Sequence, residues 1–372
     1  MSDPEENPDI RLSPACTARF LGAAKGYGVV ATRDIKNGEF ILRDIATITV
    51  DDEDTFSEKA QEAINEQYEN LSNADQDKFD KLHFYTADKN RAYIEQRSAA
   101  VSSEEERQEF LTRYERVMTF ATNCFDVTAS KTEAGLFLQG SRFNHSCLPS
   151  AEYNVFRSRG RLPEGAPLPP VRWECYAVRD IAQGEEITLG YNFRLLSREG
   201  RRRALENCWG FPCGCEVCDL DGPDEGRLSR EYDCNLRDLR KDERFWHETP
   251  WVHREWDKEA LEAHLARLED RLAMCRANSI QEGVWKNLEL ASKFCAALWY
   301  RTDQKNDEYL RKWREYLQEA RWGVCHRSML EAELGGDWDL LAAECLEKGR
   351  PDPDEIWTDT ESDGGLDEWE VK

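Results

Sequence analysis

Three short stretches of this chain hold residue types that can do chemistry. Arg142-Phe143-Asn144-His145-Ser146-Cys147 gathers an amide, an imidazole and a thiol within four positions. Glu186-Ile187-Thr188-Leu189-Gly190-Tyr191 ends on a tyrosine, and Cys213-Gly214-Cys215-Glu216-Val217-Cys218 packs three soft ligands into six residues. Taken singly, the first also fits a surface turn and the second the end of a strand. The cysteine run is the stronger signal, because thiolates at this spacing suit zinc. A closed structural zinc site takes four ligands. Spacing leaves the fourth open among Cys208, Cys234 and Cys147.

The elements that must hold these groups are legible as patterns. Gly26 and Gly28 flank Tyr27 and permit a tight backbone path and close approach of a ligand. The β-branched residues after them read as a strand, Asn37-Gly38 as a hairpin turn, and Phe40 to Val50 as a second strand. Residues 51–122 are polar and helical. There Thr55 with Glu58, and Ser103 with Glu106, have the form of capping boxes. Strands follow at Gly135 to Leu138, Glu152 to Phe156 and Val171 to Val178. The linker between the last two holds Arg157, Arg159, Arg161 and four prolines, and reads as an exposed loop. Leu195 to Asn207 reads as a helix with Arg201, Arg202 and Arg203 on its exposed side. From about residue 228 to Lys348 the pattern is helical, with Leu261, Leu265, Leu268 and Leu272 on one stripe. Residues 1–13 and 351–372 are acidic and read as a disordered leader and tail.

Composition excludes several classes. With 40% hydrophobic and 33% charged residues, the chain reads as globular and water-soluble. No apolar run is long enough to span a bilayer, and the acidic start lacks the apolar stretch of a secretory signal. A formal charge of −24 disfavours nucleic acid as the main ligand and favours a basic partner, such as a lysine-containing protein segment. Thirteen cysteines without a secretion signal read as thiols or metal ligands rather than disulfides.

The three motifs, in this order and at these separations, resemble the catalytic half of SET-domain protein-lysine methyltransferases. The nearest pattern is the group that inserts a MYND zinc finger. No cysteine lies between residues 17 and 123, so that finger is missing here. The resemblance implies an α+β fold: a β-rich SET core with a knot-like active site, a helical insert, a zinc-binding post-SET loop and a C-terminal all-helical domain. It implies boundaries at 14–50 and 123–193 for the SET halves, 51–122 for the insert, 194–227 for the zinc region and 228–350 for the helical domain.

The resemblance also assigns roles. Tyr191 takes the catalytic position. Gly26, Tyr27, Gly28, Asn123, Arg142, Asn144, His145 and Phe211 take positions that bind S-adenosylmethionine, and Phe125 and Trp209 line the lysine channel. Cys147 becomes the fourth zinc ligand beside Cys213, Cys215 and Cys218. The chain departs from the family where Leu148-Pro149-Ser150 replaces the usual Asp-Pro-Asn, and at Tyr27. The expected function is lysine N-methylation of a histone or other basic protein by a monomer in the nucleus, the cytoplasm or both. The alternatives are a catalytically weak scaffold of the same fold, or that fold turned to small-molecule chemistry.

Overall fold

A computed structural model describes residues 10–23, 25–52, 54–127, 132–157, 169–191, 196–221, 226–234, 237, 256–277, 281–302 and 306–322. The expected tail, most of the expected leader and the loop carrying Arg159 and Arg161 lie outside these residues. The chain divides into two compact units. The first includes the chain up to Arg237; the second includes the helices between Lys258 and Trp322.

In the first unit, three small antiparallel sheets are built from short strands. The first has the order β1-β2-β3-β10: Ile10–Arg11, Cys16–Phe20, Tyr27–Ala31 and Glu186–Ile187. Cys16 faces Ala31 and Phe20 faces Tyr27 across β2 and β3. The end of the expected leader is therefore a strand, because Ile10 and Arg11 pair with Ala18 and Thr17. The second sheet has the order β4-β9-β8: Phe40–Ile45, Val171–Ala177 and Ala151–Arg157. The third has the order β5-β7-β6: Ile48–Asp51, Glu133–Leu136 and Cys124–Asp126.

Two strand expectations change. Phe40 to Val50 is split, with β4 and β5 in different sheets. Asn37-Gly38 does form a turn, with Glu39 N–H donating to Lys36 C=O and Gly38 at φ +79°. That turn carries the chain from one sheet to another, so β3 and β4 are not a paired hairpin. Trp173, Phe137, Phe143, Val29 and Leu189 are fully buried in the core these sheets share.

The helical insert packs on the third sheet. It comprises α1 (Glu58–Glu69), α2 (Asn73–Asp80), α3 (Asp88–Ala99) and α4 (Glu104–Asn123). Ile64, Tyr68, Phe79, Val117 and Phe120 bury against Ile48, Val50 and Leu136. Gln67 uses its side-chain amide as a substitute strand partner, accepting from Thr49 N–H at 3.0 Å and donating to Thr49 C=O at 2.8 Å. Ser57, two residues after Thr55, caps α1 by accepting from Ala60 N–H; Ser103 caps α4 by accepting from Glu106 N–H. Thr55 loses because the helix starts two residues later than its capping box requires.

Helix α5 (Arg198–Trp209) starts at the Ser197 cap and stops at Gly210, whose φ of +75° is left-handed. A Cβ there would lie 2.2 Å from the Tyr85 ring, so glycine is needed for both space and dihedral. Residues 227–234 form a further helix, α6. It belongs to the first unit, past the boundary expected at residue 227, because Tyr232 and Asp233 bond to Cys147 and Arg201. The second unit contains α7 (Lys258–Ala277), α8 (Gln281–Arg301) and α9 (Asp307–Trp322). Leu261, Leu265, Leu268 and Leu272 form the buried face of α7, and Phe294, Cys295, Leu298 and Trp299 the buried face of α8.

Candidate active site and metal centre

The site begins where two loops lie side by side. His145 and Leu189 form a parallel bridge. Leu189 N–H donates to Asn144 C=O and Ser146 N–H to Leu189 C=O, both at 2.9 Å. Ser150 continues the seam: its hydroxyl accepts from Thr188 N–H at 3.0 Å, and Thr188 Oγ1 accepts from Ser150 N–H. At the position where the family has asparagine, Ser150 thus ties the two loops together. The seam fixes Asn144 and His145 relative to Tyr191, the residue that ends the second loop. Asp44 secures the approach to it, accepting from Gln139 and Gly140 N–H at the turn before Arg142. Burial holds its carboxyl above the usual aspartate range.

Tyr191 has aromatic neighbours on several sides. Ring centroids of His145, Trp209 and Phe211 lie 5.1, 5.0 and 6.4 Å away. Its hydroxyl donates to Phe143 C=O at 2.8 Å. Burial pushes that hydroxyl's pKa well up, with Tyr153 and Glu186 adding to the shift. The group is therefore neutral at physiological pH and suited to donate or orient a hydrogen bond, not to act as a base. Trp209 is held by its indole N–H, which donates to Thr122 C=O at 2.9 Å. Phe125, partly buried, packs edge-on to Tyr153, Phe137 and Trp173.

On the other side of the seam, Asn144 Nδ2 donates to Glu186 Oε1 at 2.9 Å, and Lys25 Nζ pairs with Glu186 Oε2 at 2.5 Å. Gly28 lies against this group: a Cβ on it would sit 2.7 Å from Asn144 Nδ2 and 2.9 Å from Glu186 Oε1. Gly26 has φ +63° and shapes the entry to β3. The Arg142 guanidinium is buried 5.7 Å from the Tyr27 ring centroid. Asn123 closes α4, and both its side-chain N–H groups are committed, to His83 C=O and Thr119 C=O. Its main-chain carbonyl accepts from Ser141, so its visible role is to hold the turn before Arg142.

Cys147, Cys213, Cys215 and Cys218 converge with all four sulfurs within 4.8 Å of one another. Cys147 Sγ is 3.9 Å from Cys213 Sγ and 3.5 Å from Cys218 Sγ. Tetrahedral zinc with Zn–S bonds of about 2.3 Å requires sulfurs about 3.8 Å apart, so the cluster fits that ion in donor type, number and spacing. Cys208 and Cys234 are exposed and outside the cluster. The centre is tied to the site by His145, whose Nε2 is 3.3 Å from Cys147 Sγ.

Sequence reasoning missed four participants. Glu186 opens one of the motifs without a role assigned to it, yet it links Asn144 to Lys25; a carboxylate after a glycine turn and before the tyrosine is the available signal. Tyr153 stacks on Trp173 at 6.0 Å and carries no motif. Tyr232, whose hydroxyl donates to Cys147 C=O at 2.8 Å, lies 85 residues from its partner. Arg201 was expected on an exposed face, but its side chain is 1% exposed and points at Cys218. Three consecutive arginines on a helix are about 100° apart each, so they cannot share one face.

Comparison with known proteins fits this geometry. Residues 26–192 match the model of the SET domain family. The histone-lysine N-methyltransferase set5 of Schizosaccharomyces pombe is 35% identical over 95 residues, 26% of this chain and 26% of that protein. The histone-lysine N-methyltransferase SMYD3 of Homo sapiens is 33% identical over 144 residues, 38% of this chain and 27% of that protein. The chain thus spans about a quarter of the length of these curated relatives. Among solved structures, the SET domain of LSMT bound to lysine and AdoHcy aligns at 12% identity and a TM-score of 0.35, over 90% of this chain and 95% of that one.

Proposed function

We propose that this chain is an S-adenosylmethionine-dependent protein-lysine N-methyltransferase with a structural zinc ion on Cys147, Cys213, Cys215 and Cys218. The observation that carries the reading is the placement of Tyr191: a neutral hydroxyl among aromatic rings, on the loop that pairs with Asn144 and His145. The relatives named above as lysine methyltransferases support the same reaction class.

The donor, when bound, supplies an electrophilic methyl group on a sulfonium. The chain's own residues have four tasks. Asn144, Glu186 and Lys25 place an amide, an anion and a cation beside Gly28, matching a zwitterionic amino-acid end in sign. Gly28 keeps that backbone close, since any side chain would collide with Asn144. Trp209, Phe211 and Tyr153 supply apolar walls that hold a lysine stem and disfavour its ammonium form, leaving the neutral amine that attacks. The Tyr191 hydroxyl, positioned by Phe143 C=O, orients the reacting groups by hydrogen bonding.

The acidic chain would attract a basic protein segment, histone or other, in the nucleus or cytoplasm. The test is transfer of label from the donor to proteins of a cell extract, with mass spectrometry of the labelled lysines. Calorimetry with S-adenosylmethionine runs beside it. Absence of heat at millimolar donor, together with no labelled lysine, would overturn the reading in favour of a non-catalytic scaffold.

A further inference from the structure

Among the described residues of the first unit, Arg201 is a deeply buried ion whose charge the proposed reaction does not use. Its guanidinium, on α5, is 1% exposed. Nη1 donates to Leu196 C=O at 2.7 Å and to Asp233 Oδ1 at 2.9 Å. Nη2 points into the cysteine cluster, 3.4 Å from Val217 C=O and 3.8 Å from Cys218 Sγ. Its Cζ lies 4.9 Å over the Tyr232 ring, and Tyr232 in turn holds Cys147 C=O. The residue therefore reaches both halves of the cluster, the Cys213–Cys218 loop directly and Cys147 through the tyrosine.

A buried arginine costs several kcal/mol of desolvation unless something repays it. Asp233 alone is a poor explanation, because its side chain is 33% exposed and the ion pair could form at the surface. The cluster offers the missing reason. Four thiolates around a divalent ion carry a net charge of −2, and a buried anion of that size needs cationic or N–H donors around it. Among the described residues, Arg201 brings a full positive charge to a cluster sulfur, and Asp233 aims the fork that delivers it.

We propose that Arg201 is a positioning residue for the metal, its charge offsetting the net negative charge of the occupied four-cysteine site. The proposal rests on the zinc reading above. Arg198 provides the control. It bonds the same loop, its Nε donating to Cys218 C=O at 2.7 Å, but it is not directed at a sulfur.

The test is zinc competition between the protein and a chromophoric chelator, for wild type, Arg201→Lys, Arg201→Gln and Arg198→Met, with circular dichroism to check folding. Arg201→Gln keeps an N–H donor and loses the charge; it should bind zinc about 10–100-fold more weakly, the usual range for loss of an outer partner. Arg201→Lys, which keeps the charge, should bind zinc close to wild type, and so should Arg198→Met, which removes no contact to a sulfur. If the glutamine variant does not fold, the lysine variant decides: zinc held as tightly as in Arg198→Met supports the proposal, and zinc lost overturns it. Equal affinity for wild type and Arg201→Gln overturns it too, leaving Arg201 as packing. Failure of wild type to bind any zinc removes the four-cysteine reading itself, and this proposal with it.

Discussion

Tyr191 and His145 are joined through a backbone hydrogen bond, the tyrosine's amide N–H donating to His145 Nδ1 at 3.0 Å. An amide N–H can only donate, so Nδ1 is the acceptor and the neutral ring carries its proton on Nε2. That proton points at Cys147 Sγ, 3.3 Å away. One imidazole therefore bridges the tyrosine loop and the cysteine cluster, and the order of the cluster is transmitted to the tyrosine.

The bridge can be cut in two steps. His145→Asn retains an acceptor of similar reach to Nδ1 but loses the contact with sulfur; His145→Ala loses both. The alanine variant should cost about 1–3 kcal/mol for the orphaned amide, and the asparagine variant distinctly less. Chemical denaturation of zinc-loaded protein measures both. Equal losses would show that the Tyr191 amide is not the group that matters.

Much of this arrangement was legible because the motif residues are also the ones that pair. Asn144, His145, Tyr191 and the Cys213–Cys218 run announce themselves by type and spacing. Long-range partners do not: Tyr232 and Asp233 look like ordinary helix residues until α6 is seen to belong to the first unit. Ser72 caps α2 just as Ser57 caps α1, but the short polar run after it, Asn73–Asp80, buries only Phe79 and so has no periodicity to detect. Ile10 and Arg11 were hidden for a different reason. Two residues of strand leave no pattern, and only the pairing with Thr17 and Ala18 creates them.

Tyr191→Phe should retain fold and donor affinity and lose about 100-fold or more of methyl transfer, the scale on which one positioned hydrogen-bonding group acts. Because burial raises the pKa of this hydroxyl above the ordinary tyrosine value of 10.0, the neutral form is the stabilised one. Its contribution to stability is full below that value and is lost only as pH rises through the higher folded-state pKa. An ultraviolet difference titration of wild type against the variant should thus show no tyrosinate from this residue at pH 9. Tyrosinate appearing there would place the hydroxyl in solvent.

Metal removal should act on the fold and on the site together. Purified protein should carry about one zinc ion per chain, and chelation should lower its melting temperature, since a structural site contributes its binding energy to folding. Cys147→Ser should reduce zinc content and melting temperature, whereas Cys208→Ser, at an exposed position outside the cluster, should change neither. Elemental analysis and thermal melts decide. Zinc retained by the first variant and lost by the second would move the fourth ligand to Cys208.

Gly28 offers the sharpest separation of donor binding from the rest of the fold. The ideal Cβ of an alanine would lie 2.4 Å from Leu21 Cδ1, 2.7 Å from Asn144 Nδ2 and 2.9 Å from Glu186 Oε1. Leu21 can rotate away, but Asn144 and Glu186 are held by their mutual hydrogen bond and by Lys25. The strain therefore falls on the amide and carboxylate proposed to receive the donor. Gly28→Ala should cost about 1–3 kcal/mol of stability, as an added methyl in packed surroundings does. Zinc content should be unchanged, because the contacts that the methyl disturbs do not include the cysteine cluster. Affinity for S-adenosylmethionine should fall at least tenfold, a loss of about 1.4 kcal/mol. Calorimetry on the folded, zinc-loaded variant reads this directly. Wild-type donor affinity in that variant would show that the donor binds away from Asn144 and that the glycine serves only strand packing.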